Sequence, residues 1–320
     1  MKRLAPLSFT LWLALGLSAC AAPAQPTAAP VTLKIAILPL IDALPMYVAQ
    51  AQGLFAKAGV QVEFVPVSAA PQRDQLIAAN QADGMINETL STFFFNKQQT
   101  QVQIVRYALA PTAKAGHFFI LASAKSGITK PEQLKGVEIG VSQSTIIEYV
   151  TERVLQAQGF GPDQIKTIAV PNMSDRMTLL ASGQLKAAVL PDPLAALAIQ
   201  QGAVPVLDDA AYPHYGFSVI TFRKAVIDQH PEAIRAFLAA VEQAAGLVNA
   251  NPAGYTSLLS DNKLVPAPLL KTYQAPPFPA AGVPSLAEWQ DALAWAKAKS
   301  LVAADVDYAT SVNASFLPKP

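Results

Sequence analysis

Residues able to do covalent chemistry are scarce in this chain. Among 320 residues there are one cysteine and three histidines. Cys20 lies near the start, so no later thiol can act as a nucleophile. His117, His214 and His230 form no pair at i and i+4, and no Ser/His/Asp spacing of a hydrolase appears. A single Cys also excludes a disulfide framework and a multi-cysteine zinc or iron–sulfur site. These residues describe a protein that binds rather than transforms, with no metal and no cofactor. What remains is a set of acids at turn positions, Asp42, Glu88 and Asp192, suited to accepting hydrogen bonds from a ligand. The balance of 23 basic against 22 acidic residues leaves no basic face for nucleic acid. With 52% hydrophobic residues and a net charge of +1, the chain also lacks the composition of a disordered protein.

The first twenty residues read as a targeting segment. Lys2 and Arg3 form a basic start, and Leu11 to Leu17 an apolar stretch too short for a membrane span. Leu17-Ser18-Ala19-Cys20 then resembles the lipobox of bacterial lipoproteins, which implies a signal peptide over 1–19 and lipidation of Cys20. An ordinary secretory cleavage near Ala22 is the alternative. Residues 20–30, rich in Ala and Pro, would tether a lipid to the body.

The acids must be positioned by the elements around them, and these alternate. Leu33 to Leu38 reads as a strand, and Tyr47, Val48, Ala51, Leu54 and Phe55 as one helix stopping at Gly59. Val60 to Pro66 alternates as a strand, Gln72 to Asn80 is helical, and Gly84-Met85-Ile86 is again a strand. This order predicts βαβ units and a mostly parallel sheet. It then recurs. Ile35, Ile37, Tyr47 and Val48 reappear 102 positions later as Val137, Ile139, Tyr149 and Val150. Leu76-Ile77-Ala78, Met85 and Ile86 reappear 103 positions later as Leu179-Leu180-Ala181, Ala188 and Val189. Two similar α/β lobes follow, with crossings near Phe118–Ser123 and Gly216–Thr221 that make a two-strand hinge. Helices from Pro231 to Val248 and from Glu288 to Lys299 should return to the first lobe. The lobes are expected at 31–120 with 218–320, and at 121–217.

Three stretches carry a family resemblance: Tyr47-Val48-Ala49-Gln50-Ala51-Gln52-Gly53-Leu54-Phe55, Pro131 to Val141, and His230 to Phe237. With the lipobox and the strand Lys34 to Leu38, they resemble periplasmic substrate-binding proteins of ABC importers. The group is the nitrate/sulfonate/taurine type, which includes binders of thiamine-pyrimidine precursors. The resemblance spans about residues 31–315. It implies a type II periplasmic-binding-protein fold, an exported monomer held to the membrane by lipid only, and permease and ATPase partners. It does not choose a ligand.

Ligands of open α/β sheets bind beyond the carboxyl ends of the strands. On lobe one those turns offer Asp42, Leu44, Ser68, Asn87, Glu88 and Thr89. On lobe two they offer Ser142, Ser144, Thr145, Asn172, Met173 and Asp192. Tyr107, Phe118, Tyr215 and Phe217, near the crossings, could form stacking walls. Each polar candidate has a structural alternative. Thr145 with Glu148 fits a capping box, Asp192 before Pro193 an N-cap, and Asn87 a cap with Glu88 in the first turn. His117 and His230 read as structural. The three acids outweigh the nearby bases, Arg73 and Arg106, which favours a ligand with amino or ring N–H groups, such as an aminopyrimidine. A sulfonate or nitrate, which wants an arginine fork, is the alternative, and Arg106 ending inside the cleft would favour it. An enzyme on this frame and a non-transport surface lipoprotein are the remaining rivals.

Overall fold

Ten strands form among residues 30–318, which the computed structural model describes. Cys20 and the expected signal peptide lie outside them, as does the tether up to residue 29. The strands are β1 (Val31–Ile37), β2 (Val60–Pro66), β3 (Gly84–Asn87), β4 (Val102–Leu109), β5 (Phe118–Ala122), β6 (Glu138–Val141), β7 (Lys166–Ala169), β8 (Ala187–Pro191), β9 (Val204–Asp208) and β10 (Ser218–Arg223).

They make two five-stranded sheets, ordered β2-β1-β3-β10-β4 and β7-β6-β8-β5-β9. The orders superimpose, β1 on β6, β2 on β7 and β3 on β8. β1 runs parallel to β2 from the pair Val31/Val60 to Ile37/Pro66, and β6 parallel to β7 from Glu138/Lys166. The spacings of 102 and 103 residues thus join equivalent elements: helix Leu44–Ala51 with Ile146–Ala157, and Ala70–Ala78 with Met173–Ser182. This is the two-lobe periplasmic-binding-protein architecture expected from the sequence.

The hinge differs in detail. The chain crosses between sheets along residues 110–117 and 209–217, outside any strand. β5 and β10 are instead the antiparallel members of the sheets they enter, β5 between β8 and β9 and β10 between β3 and β4. The boundary expected after residue 120 falls inside β5, which pairs with β8 from Phe118 onward. An apolar run buried on both faces looks the same in sequence whether it spans a hinge or fills a sheet. The helix expected to run from Tyr47 to Gly59 also breaks. Gly53 adopts φ +66°, a left-handed conformation open to glycine, and separates Leu44–Ala51 from Leu54–Lys57.

Helix Pro231–Ala250 returns to the first sheet, burying Ile234, Phe237, Leu238 and Val241 against helix Leu44–Ala51. Each such side chain contributes about 1.5–3 kcal/mol on burial. Phe237 stacks on Phe55 at 5.3 Å. Helix Leu286–Ala298, opened by a Ser285/Glu288 capping box, does more than return. Trp289 meets Phe93 of helix Thr89–Asn96 in lobe one at 4.6 Å. Trp295 meets Tyr149 of lobe two at 5.6 Å and donates to Glu152 at 2.7 Å. Lys299 pairs with Glu148 and Glu152, and Arg153 with Asp291. One helix therefore straddles both lobes, and a single apolar cluster runs from Leu90 and Phe93 through Trp289 and Trp295 to Val150 and Val154. No helix among the described residues is long and apolar enough to cross a membrane.

Candidate functional site

The strand-end turns largely close on themselves. In lobe one, Leu44 is wholly buried in the core. Ser68, exposed, donates to Gln72. Glu88, rather than Asn87, is the N-cap of helix Thr89–Asn96, accepting from the Ser91 N–H at 3.0 Å. Asn87 instead receives Thr221 at 2.6 Å and donates to Ser91 and Thr92. Thr89 is buried with its hydroxyl unpartnered. Burial pushes the Glu88 carboxyl up to about 7, although Arg73, 3.9 Å away, pulls it down.

In lobe two, Thr145 caps its helix through the Ile147 N–H and donates to Ser142 O. Glu148 closes the turn on the N–H of Ser144 rather than of Thr145, a shift of one residue that goes with the left-handed φ of Ser144. The carboxamide of Asn172 caps the next helix through Ser174 and Asp175, and Met173 is half-buried at its first residue. Asp192 does not cap; Pro193 stands at that position, and the Asp192 carboxylate accepts the hydroxyl of Tyr273. Tyr273 packs with the lobe-one core, so this bond ties the lobes together.

Around that tie the structure gathers residues from both crossings. His117 Nδ1 lies 2.7 Å from the carbonyl of Gly216, and Nε2 lies 3.6 Å from Asp42. Asp42 also accepts from Ser218. Asp209 accepts from the N–H groups of His117 and Phe118, and Asp192 N–H donates to His117 O at 2.9 Å. Burial alone would strip the His117 proton, but Asp42 and Asp209 outweigh it and raise the imidazole to about 9. In return His117 and Ser218 hold Asp42 below the ordinary carboxylate range, while burial lifts Asp209 to about 6. Of the three acids expected on the rims, Asp42 and Asp192 come together at His117, while Glu88 lies against Arg73.

The arginines divide sharply. Arg106 is not in the cleft: it is buried, bonded to Glu242 at 2.6 Å and to Pro279 O at 2.8 Å, fixing helix Pro231–Ala250 to β4. Arg73 and Arg176 occupy equivalent places 103 residues apart. β1 pairs with β3 as far as Met85, and β6 with β8 as far as Ala188; each arginine takes the carbonyl of the next residue. Arg73 donates to Ile86 O at 3.3 Å and Arg176 to Val189 O at 2.6 Å. Arg73 is neutralised by Asp74 and Glu88. Among the described residues Arg176 has no carboxylate partner; its Nε and Nη2 are buried without hydrogen bonds there, and burial lowers its pKa to about 10.

Beside the second crossing lies a cavity of about 330 Å³ lined by Tyr149, His214, Tyr215, Ser285, Ala287, Glu288 and Asp291. That volume lies within the range of small-molecule pockets, roughly 300–1,000 Å³. Tyr149 and Tyr215 meet edge to face at 5.8 Å, and His214 lies against Tyr215. Asp291 uses one oxygen for Tyr149 and Arg153, and Glu288 one for Tyr107 and Ser285. Of the expected aromatic walls, Tyr215 lines this cavity and Tyr107 reaches it through Glu288. Phe118 and Phe217 are instead buried in the apolar cluster. Sequence reasoning missed Tyr149, Ser285, Glu288, Asp291 and Tyr273 as site residues; the Ser285-x-x-Glu288 pattern signals only a helix start, and Tyr149 only the repeat. Arg176 could have been found from the 103-residue repeat, which sets it opposite Arg73.

A family model described as NMT1/THI5 like matches residues 41–254. No curated protein matches in sequence. Among solved structures, the alkanesulfonate-binding protein SsuA from Xanthomonas axonopodis pv. citri, bound to MOPS, is similar with a TM-score of 0.74 at 18% identity, covering 89% of this chain and 99% of that one. The nitrate-binding protein NrtA from Synechocystis PCC 6803 gives 0.59 at 17% identity, covering 73% and 67%. The Candida albicans CA3427 gene product, described as having the generic periplasmic binding protein fold, gives 0.69 at 18%, covering 90% and 98%. With the duplicated sheets and the two crossings, the matched two hundred or so residues settle kinship: the chain belongs to the NMT1/THI5-like family.

Proposed function

We propose that this protein is the extracytoplasmic receptor of an ABC importer, anchored by lipid at Cys20, which captures a small organic molecule between its lobes and delivers it to a permease driven by an ATPase. Family membership and the two-lobe frame support that role, as do the similar alkanesulfonate- and nitrate-binding proteins. The ligand is an amine-bearing heterocycle of the aminopyrimidine kind. The observation carrying this choice is the cavity between Tyr149, Tyr215, Glu288 and Asp291. Flat aromatic faces suit a ring, and the second carboxylate oxygens of Glu288 and Asp291, which accept no protein hydrogen bond, suit its N–H groups. Arg153, bonded to Asp291 and lying over Tyr149, orients the acid.

A second reading, an oxyanion such as a sulfonate or nitrate, is favoured by Arg176. Its buried, unmatched guanidinium lies toward the carboxyl end of β8, and an anion there would neutralise it. Calorimetry with a 4-aminopyrimidine and with an alkyl sulfonate separates the two. Glu288→Gln and Asp291→Asn should each weaken aminopyrimidine binding by roughly ten- to a hundredfold, the worth of a charge-assisted hydrogen bond of about 1.5–3 kcal/mol. Sulfonate binding that these variants leave intact, with no aminopyrimidine binding at all, would transfer the assignment to the second reading.

A further inference from the structure

We propose that His117 is a positioning residue that holds a positive charge at the point where the lobes join, so that closure is linked to one proton. This rests on the two-lobe receptor reading above and adds its regulation.

The geometry requires the charge. The Gly216 carbonyl can only accept, so Nδ1, 2.7 Å away, carries a hydrogen. Nε2 faces Asp42 Oδ1 at 3.6 Å, a buried oxygen that receives no hydrogen bond. A bare Nε2 would set its lone pair against that carboxylate, so Nε2 carries a hydrogen as well. The ring is thus an imidazolium, 4% exposed.

Its surroundings come from every element at the junction. Asp42 and Ser218 belong to lobe one, Asp192 to the turn after β8 in lobe two, and Asp209 and Gly216 to the second crossing. Tyr273, on the lobe-one side, holds the Asp192 carboxylate. Three acids therefore face one cation, and among the described residues no lysine or arginine pairs with Asp42, Asp192 or Asp209. Taking the proton away leaves the buried carboxylates of Asp42 and Asp209, and the half-buried one of Asp192, without a counter-charge, which is costly in a dry interior. Parting the lobes moves Asp42, on lobe one, away from His117, which stays bonded to the Asp192 N–H in lobe two, and lets water reach that carboxylate. Joined lobes thus hold the proton more tightly than parted ones, and closure takes it up from solvent at alkaline pH.

The sign follows from the direction of the shift. Burial opposes the charge, but Asp42 and Asp209 raise His117 from 6.5 to about 9. The joined form is favoured below the ordinary imidazole pKa, and this preference is lost as pH rises through about 9. For one proton, the equilibrium between joined and parted lobes moves by up to tenfold per pH unit across that window.

Nitrogen-15 NMR of the histidine rings tests this without any ligand, using His214→Asn and His230→Asn to assign the third ring. Both His117 nitrogens should be protonated at pH 7.5 and titrate near 9. In Asp192→Asn the midpoint should fall by about one unit, the effect of removing one near carboxylate. Small-angle scattering should show the wild type expanding between pH 7 and 10 and His117→Gln unchanged over that range. A bare ring nitrogen at pH 7.5, or a midpoint that Asp192→Asn leaves in place, overturns the proposal. Where His117→Gln fails to fold, the wild-type and Asp192→Asn titrations still decide. Because the readouts need no ligand, a wrong ligand class leaves them unaffected.

Discussion

Tyr273→Phe removes one oxygen and, with it, the hydrogen bond that Asp192 accepts from the other lobe. The phenol is largely buried, and burial with the nearby Asp192 charge raises its pKa, so at neutral pH it acts only as a donor. Burial also raises the Asp192 carboxyl, with Tyr273 and His117 pulling it back down. Losing the donor therefore leaves a half-buried carboxylate under-solvated. A hydrogen bond to a charged group contributes about 1.5–3 kcal/mol. Because the two partners sit on different lobes, this falls on the joined form and hardly on either lobe alone. The fraction of ligand-free molecules with joined lobes should drop by roughly ten- to a hundredfold. Small-angle scattering at pH 7 should report a larger radius of gyration than wild type, with the melting temperature nearly unchanged. An unchanged radius with a melting temperature lowered by several degrees would refute the reasoning, since the bond would then support folding rather than lobe closure.

Arg176→Met replaces a buried guanidinium lacking a carboxylate partner with an apolar side chain of similar length. Chemical denaturation should find the variant as stable as wild type or more so, because an unmatched buried charge costs stability. Loss of alkyl-sulfonate binding in the same variant would favour the oxyanion reading. Cys20→Ser should move the protein from the membrane to the soluble fraction with its melting temperature intact, and a variant that still sediments with membranes would remove the lipid anchor from the proposal.

The alternation of strand and helix was legible from residues 31 to 200, and the repeat offset pairs elements that do superimpose. Local rules suffice for this. An apolar run bounded by turn residues can be read in place, and so can a cap such as Thr145. Even here some details escaped, since Glu88 rather than Asn87 became the cap and β5 proved to be a strand inside a sheet.

The charge balance of the binding region was not legible, because it depends on which ions meet. Counting acids on turns made the rims look negative. In the folded chain Asp42 is matched by His117, Glu88 faces Arg73, and Arg106 is drawn away to Glu242, 136 residues later. Arg176, equivalent to Arg73 in the repeat, kept its charge unmatched because lobe two has Met177 and Pro191 where lobe one has Asp74 and Glu88. The cavity was equally hidden, since it forms where helix Leu286–Ala298 lies across both lobes. What the residues determine by themselves is local: period, cap, turn and duplication. Which charges find partners, and where space is left between lobes, is set by contacts between separate elements, such as Asp42 with His117 and Arg106 with Glu242, and those exist only once the chain has closed on itself.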